Sequence, residues 1–223
     1  MWKPDRSRLL FAFFLLYATL LGAQPRKTPP PLWKDGIYRS SEDFRANKPL
    51  LAWKETKGKW FYNPESGITT IAEIAYANGS PLSTDSIALI CLNGLTALRI
   101  PPDSTLRSSA VYAKLQYPGR ISYFQYEAGV IDTVAIAAYN PVSGKPFRQA
   151  RLPRTIREYR ERLYILETGK ILPFSRESLL AVMDTDPEVR RAVSLLEDSE
   201  DVPLREKLLR AIEVFNERNP VKW

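Results

Sequence analysis

Asn93-Gly94 separates two apolar, β-prone runs, Ile87 to Leu92 and Leu95 to Ile100. A two-residue type I′ turn needs positive φ at both central positions, and this pair tolerates it, so the segment predicts a tight antiparallel hairpin. The same grammar recurs along the chain. Gly36-Ile37-Tyr38 opens a short strand, and Trp60-Phe61-Tyr62 is a β-prone cluster ended by Asn63-Pro64. Val111 to Tyr117 and Arg120 to Tyr126 flank Pro118-Gly119, which suits a type II turn. Val130 to Tyr139 is a separate apolar run, and Tyr159 to Glu167 and Lys170 to Phe174 flank Thr168-Gly169. Ile68 to Ala77 carries alanines and Glu73 that permit a helix, but Ile68, Thr69, Thr70 and Ile71 favour a strand. Asn78-Gly79-Ser80 reads as a turn before it reads as a glycosylation acceptor. Short strands punctuated by turns predict an antiparallel sheet, curled or folded into a sandwich.

Helix signals are confined to the flanks of this region. Ser40 and Ser41 precede Glu42, Asp43 and Phe44 as an N-cap candidate with acidic first-turn residues, with Asn47-Lys48-Pro49 as the stop. After about residue 174 the period changes. Ser175 caps a helix running to Met183, and Asp186-Pro187-Glu188 gives a cap, a proline at the first helical position and an acid. Pro203 opens a third helix with Leu204, Leu208, Ile212 and Phe215 on one face, ending at Asn216 to Pro220. The predicted class is therefore α+β: a predominantly antiparallel β body over 36–174, followed by a small C-terminal helical unit over 175–223 packed on it.

The N-terminus reads as a secretory signal peptide over 1–23. Lys3, Arg6 and Arg8 form a basic start, Leu9 to Leu21 an apolar run, and Gly22-Ala23 a small-residue exit. Thirteen helical residues at about 1.5 Å each reach roughly 20 Å, short of the ~30 Å bilayer core. The reading therefore expects cleavage and no transmembrane span afterwards. Residues 24–35 then form a linker, extended by Pro25 and Pro29-Pro30-Pro31. Without the leader, the net charge falls from +7 to roughly +5.

Composition excludes much chemistry. The chain has no histidine and a single cysteine, Cys91. That removes Ser-His-Asp and Cys-His catalysis, His-ligated zinc, thiolate metal clusters, redox dithiols and intramolecular disulfides. No Gly-rich phosphate loop is visible, so no cofactor is expected. Cys91, within Ile87 to Leu92, reads as a small buried apolar residue.

Four segments together resemble a group of uncharacterised exported proteins of Bacteroidota-type bacteria. They are Gly36-Ile37-Tyr38 with Ser41-Glu42-Asp43-Phe44 and Asn47-Lys48-Pro49; the Ile87 to Ile100 hairpin; Pro118-Gly119-Arg120-Ile121-Ser122-Tyr123-Phe124; and Tyr164 to Leu172 leading into Asp184-Thr185-Asp186-Pro187-Glu188 and the closing helix. The resemblance implies a periplasmic or cell-envelope location. It carries over no activity, ligand or catalytic residue.

Two groups of residues suit recognition. Arg148, Arg151, Arg154, Arg157, Arg160 and Arg162 lie within 15 residues and suit an anionic ligand, against the plainer reading of a solvated strand with local ion pairs. Pro153 prevents one continuous helical stripe, so they need not share a face. Trp53, Trp60 and Tyr62, with Trp33 nearby, suit an aromatic platform for sugar rings, against a role in the core. Asp184, Asp186 and Glu188 read as helix-capping acids, since they lack the glycine and distal glutamate of a calcium loop. No catalytic or metal-ligating residue is nominated. The leading expectation is an exported, non-enzymatic binding or accessory protein that engages an envelope protein, glycan or lipid headgroup, with nucleic acid disfavoured. The alternatives are a carboxylate-based hydrolase of an envelope polymer and a structural subunit of an outer-membrane assembly.

Overall fold

The computed structural model describes residues 33–221 apart from 101–109, 140 and 145, and excludes the side chains of 138, 146–149 and 155. The leader, and the linker as far as residue 32, lie outside the described residues. The end of that linker belongs to the folded body. Trp33 is buried and stacks on Phe44 with ring centroids 4.5 Å apart, and Asp35 accepts the Gly94 N–H at 3.1 Å.

Nine strands form two antiparallel sheets among the described residues, which fits the α+β class. The first holds β1 (Gly36–Tyr38), β2 (Thr56–Asn63), β3 (Ile68–Tyr76), β4 (Leu89–Leu92), β5 (Leu95–Arg99) and β6 (Ala110–Lys114) in the order β1-β4-β5-β6-β3-β2. It is curled. Leu50 and Leu51 exchange backbone hydrogen bonds with Ile37 on the outer edge of β1, so the segment leading into β2 returns to the opposite end of the sheet. Inside the curl, Ile37, Ile71, Ile87, Ile90 and Tyr112 make one buried cluster.

The second sheet is β7 (Ile121–Tyr139), β8 (Pro146–Ile165) and β9 (Lys170–Pro173). At its base, one face packs Phe124, Tyr126, Ala128 and Tyr164 onto Tyr38, Leu89, Cys91 and Leu98 of the first sheet. The other face buries Ile121, Tyr123, Leu163 and Ile165 beneath three C-terminal helices. These are α2 (Arg176–Val182), α3 (Pro187–Ser194) and α4 (Leu204–Arg218); α1 (Ser41–Arg45) lies near the N-terminus. The caps are Ser40 for α1, Ser175 for α2 and Asp186 for α3, each side chain accepting a first-turn N–H.

Two expectations are corrected. Pro118-Gly119 is not a type II turn: the positive φ falls at Tyr117 (52°), and Gly119 does not adopt the left-handed conformation that turn requires. Gly119 is needed for space instead, because a Cβ there would overlap the Asn216 amide. Second, Arg120 to Tyr126 and Val130 to Tyr139 are one strand rather than two, and β8 runs beside it for 20 residues. Gly129 sits inside the strand instead of ending it. Beyond Ala128 the hairpin leaves the buried clusters and continues for about 11 residues, roughly 35 Å at strand rise.

Candidate aromatic binding pocket

Trp53, Trp60 and Tyr62 converge on one pocket of about 130 Å³. Trp53 comes from the 3-10 turn Trp53–Glu55 that precedes β2. Its indole N–H donates to the Cys91 carbonyl, carrying the ring across the inside of the curl from β2 to β4. Trp60 and Tyr62 stand two apart on β2, and therefore on one face. One extra residue in β3, Ala72, sets that face: Lys59 pairs with Glu73 while Trp60 pairs with Ile71. The Trp53 and Trp60 rings meet at 5.0 Å with their planes tilted by 43°. Phe61, between the two pocket aromatics, points to the opposite face and is 67% exposed.

The rest of the wall comes from the centre of the sheet. Leu92, Asn93 and Leu95 surround the type I′ turn, where Asn93 and Gly94 both have positive φ (51° and 74°). Thr69 and Lys114 supply polar side chains, and Ile90 and Ala97 form an apolar floor. Thr96 also lines the pocket, but its hydroxyl turns to the other face of β5 and donates to the Cys91 thiol at 3.8 Å. Lys114 is the one charged residue among those lining the pocket, and no carboxylate lines it. A closed cavity of about 150 Å³ holds benzene, so this slightly smaller pocket can seat part of one six-membered ring rather than enclose it. The tilted indoles offer aromatic faces to the C–H side of such a ring, while Asn93 and Lys114 are placed for its polar substituents. The lining contains no nucleophile–base pair.

Cys91 lies just behind the wall. Its thiol is fully buried, 3.6 Å from both the Trp33 carbonyl and Asp35 Oδ1. Burial pushes the thiol up to about 11, with the Asp35 carboxylate adding to the shift and the Thr96 contact opposing it. It is structural, as a protonated thiol inside an apolar wall should be.

Trp33 does not join the pocket; it is 5% exposed, in the core between the two sheets. The arginines are dispersed along β8. Arg154, Arg160 and Arg162 register with Asp132, Tyr126 and Phe124 on one face, while Arg151 and Arg157 register with Ala135 and Gly129 on the other. Arg148 registers with Ala138, and its side chain lies outside the described residues. Arg160 and Arg162 are neighbours on one face, but Arg154 lies six residues, roughly 20 Å, farther along it and Arg151 and Arg157 are on the other, so the series does not converge on one anion. Arg157 is 3.5 Å from Glu127, and Arg162 donates to the Glu161 carbonyl.

Sequence reasoning identified the three aromatics but missed Asn93, Leu95 and Lys114 as their companions. Asn93-Gly94 was legible as a turn, yet only the curl of the sheet brings it opposite Trp60. Among the described residues no cluster of three or more acids or thiols suits a metal ion, and no helix is long and apolar enough to cross a membrane. No protein-family model, curated protein or solved structure matches the chain.

Proposed function

We propose that this protein is an exported, non-enzymatic recognition domain of the cell envelope that binds one ring of a glycan in the Trp53–Trp60–Tyr62 pocket. The observation that carries this reading is the pocket: two tilted indoles and a phenol beside Asn93 and Lys114, in a volume of about 130 Å³ that can seat part of one ring. Trp60 keeps 41% of its surface exposed, which for a large aromatic beside a cavity fits a contact surface rather than core packing. Of the partner classes expected from the sequence, the ring-sized mixed lining favours a glycan over a lipid headgroup or a protein. The single cation, Lys114, favours rings bearing a carboxylate or another acidic group. The basic start and short apolar run of the leader support export.

The reading is tested in two arms. Saturation-transfer NMR with neutral hexoses, N-acetylated amino sugars and uronic acids should show ring-proton contact in at least one class, strongest for the acids. Fractionation of a Gram-negative host expressing the full chain should recover it in the periplasmic or envelope fraction, shortened by the leader. No contact in any sugar class would remove the glycan assignment, and full-length protein confined to the cytosol would remove the location.

A further inference from the structure

Beyond its base, the outer edge of β7 is unpaired among the described residues and has a defined hydrogen-bonding phase. Tyr123 exchanges both its backbone hydrogen bonds with Gln116, at 3.0 and 2.7 Å, and Ile121 directs its N–H and carbonyl to the Asn216 side chain. These odd-numbered residues therefore turn their polar backbone away from β8. The register runs unbroken from Ile121↔Ile165 to Ala138↔Arg148, so odd residues as far as Ala137 do the same. β7 is the end strand of its sheet, and among the described residues no strand lies against this edge. Thr133 shows its state directly: its N–H donates not to Pro153 opposite but to Asp132 Oδ1 of its own strand, at 2.7 Å.

The two edges of the arm are not equivalent. β9 covers β8 only from Arg162 to Ile165. Farther out, β8 offers Pro153, which has no N–H, between Arg151 and Arg157, and such an edge resists pairing. From Gly129 to Tyr139, β7 has no proline, one charge (Asp132) and a β-branched centre. It lacks the usual defences of a free edge. Its exposed side chains include Ile131 and Ile136.

The geometry points to a second copy of this chain as the occupant, with the two β7 edges paired antiparallel about a twofold axis at Thr133. Thr133 then faces its own copy, Ile131 faces Ala135, Val130 faces Ile136 and Asp132 faces Val134. No charge meets a like charge, and the threonine pair is favourable across strands. About ten backbone hydrogen bonds form over 129–137. The partner carbonyl replaces the Asp132 carboxylate on the Thr133 N–H, and Asp132 is left on the same face as its register partner, Arg154. In the joined sheet the two β8 strands are outermost, three strand spacings or about 14 Å apart. That exceeds the ~8 Å Debye length at physiological salt, so their arginines repel weakly. Pairing through β8 would instead set arginine rows side by side against Pro153. The twofold closes the assembly at two copies. This inference is independent of the pocket.

Sedimentation equilibrium of the full chain across the micromolar range should show a reversible monomer–dimer transition. Because the Thr133 N–H faces outward, Thr133→Pro removes an edge donor at the loss of its local bond to Asp132 Oδ1 and of no β7–β8 ladder bond. The variant should keep the wild-type circular dichroism and sediment as a monomer. Under mild oxidation Thr133→Cys should form a covalent dimer, since such a pair places its Cα atoms about 5.5 Å apart, within disulfide reach. Pro153→Cys, on the other edge, should not. A wild type that stays monomeric throughout, or a dimer that persists in a folded Thr133→Pro, overturns the proposal. If Thr133→Pro loses its native spectrum the cysteine pair decides, and equal cross-linking at 133 and 153 overturns it.

Discussion

Asn216, on the last turn of α4, and Ile121, the first residue of β7, are joined in both directions. Asn216 Oδ1 accepts the Ile121 N–H at 3.1 Å, while its Nδ2 donates to the Ile121 carbonyl at 2.7 Å and to that of Tyr117 at 2.9 Å. One side chain thus supplies the pairing that β7 would otherwise need from another strand, and fastens the helical unit to the hairpin base. Asn216→Ala leaves these backbone groups without that partner and should cost about 2–3 kcal/mol in urea unfolding. Gly119→Ala, which pushes a methyl group into the same amide, should cost a comparable amount, and the double variant should be less than additive.

Asp186 ties α3 to the end of α4. Its carboxylate accepts the Val189 N–H at 3.2 Å and the Arg218 Nε at 2.7 Å. The Arg218 contact, helped by the Val189 N–H and by Asn219, holds this carboxyl below its usual range. A depressed folded-state value contributes stability above the unfolded value and loses it as pH falls through the folded one. Asp186→Asn should therefore lower the urea midpoint at neutral pH, with the difference from wild type vanishing in acid. A difference that is constant with pH contradicts this.

The buried thiol works with the opposite sign. Cys91 is raised from about 9 to about 11, so its contribution is complete below pH 9 and lost as pH rises through 11. Tyr123 is raised to about 12, chiefly by burial and by its hydrogen bond to Glu161, while Arg205 opposes the shift. It adds a second loss above pH 10. Chemical unfolding measured from pH 7 to 11 should show stability falling above pH 9. Cys91→Ala should remove roughly 2 kcal/mol of that fall.

The parts of this fold that were legible in the sequence are those set by one or two residues. Asn93 and Gly94 announce their turn because both must adopt positive φ, and the Ser40-Ser41 pair, Ser175 and Asp186 announce helix starts because such side-chain oxygens reach orphan N–H groups; of the pair, Ser40 makes the cap. The β7–β8 arm was not legible, because Gly129 looks like punctuation and arginines three apart follow neither the strand nor the helix period. Register decides both matters, and register is a relation between distant segments. The pocket divides the same way. Trp53, Trp60 and Tyr62 stand out as aromatics close in sequence, but Lys114 joins them only because β6 lies beside β3 in a curled sheet.

Trp60 and Phe61 are chain neighbours on opposite faces of β2, which makes them a matched pair for separating a binding surface from general apolar exposure. Phe61→Ala should change stability little, whereas Trp60→Ala also loses the contact with Trp53, so both variants are compared only where urea unfolding shows them folded.

Their comparison is also the most direct test of the pocket as a glycan site: indole emission titrated with a uronic acid or an N-acetylated amino sugar in wild type, Trp60→Ala and Phe61→Ala. The pocket predicts a saturable change in wild type and in Phe61→Ala, and affinity weakened about tenfold or more, ~1.4 kcal/mol, in Trp60→Ala. Equal affinity in all three proteins, or no saturable change in the wild type, would contradict it.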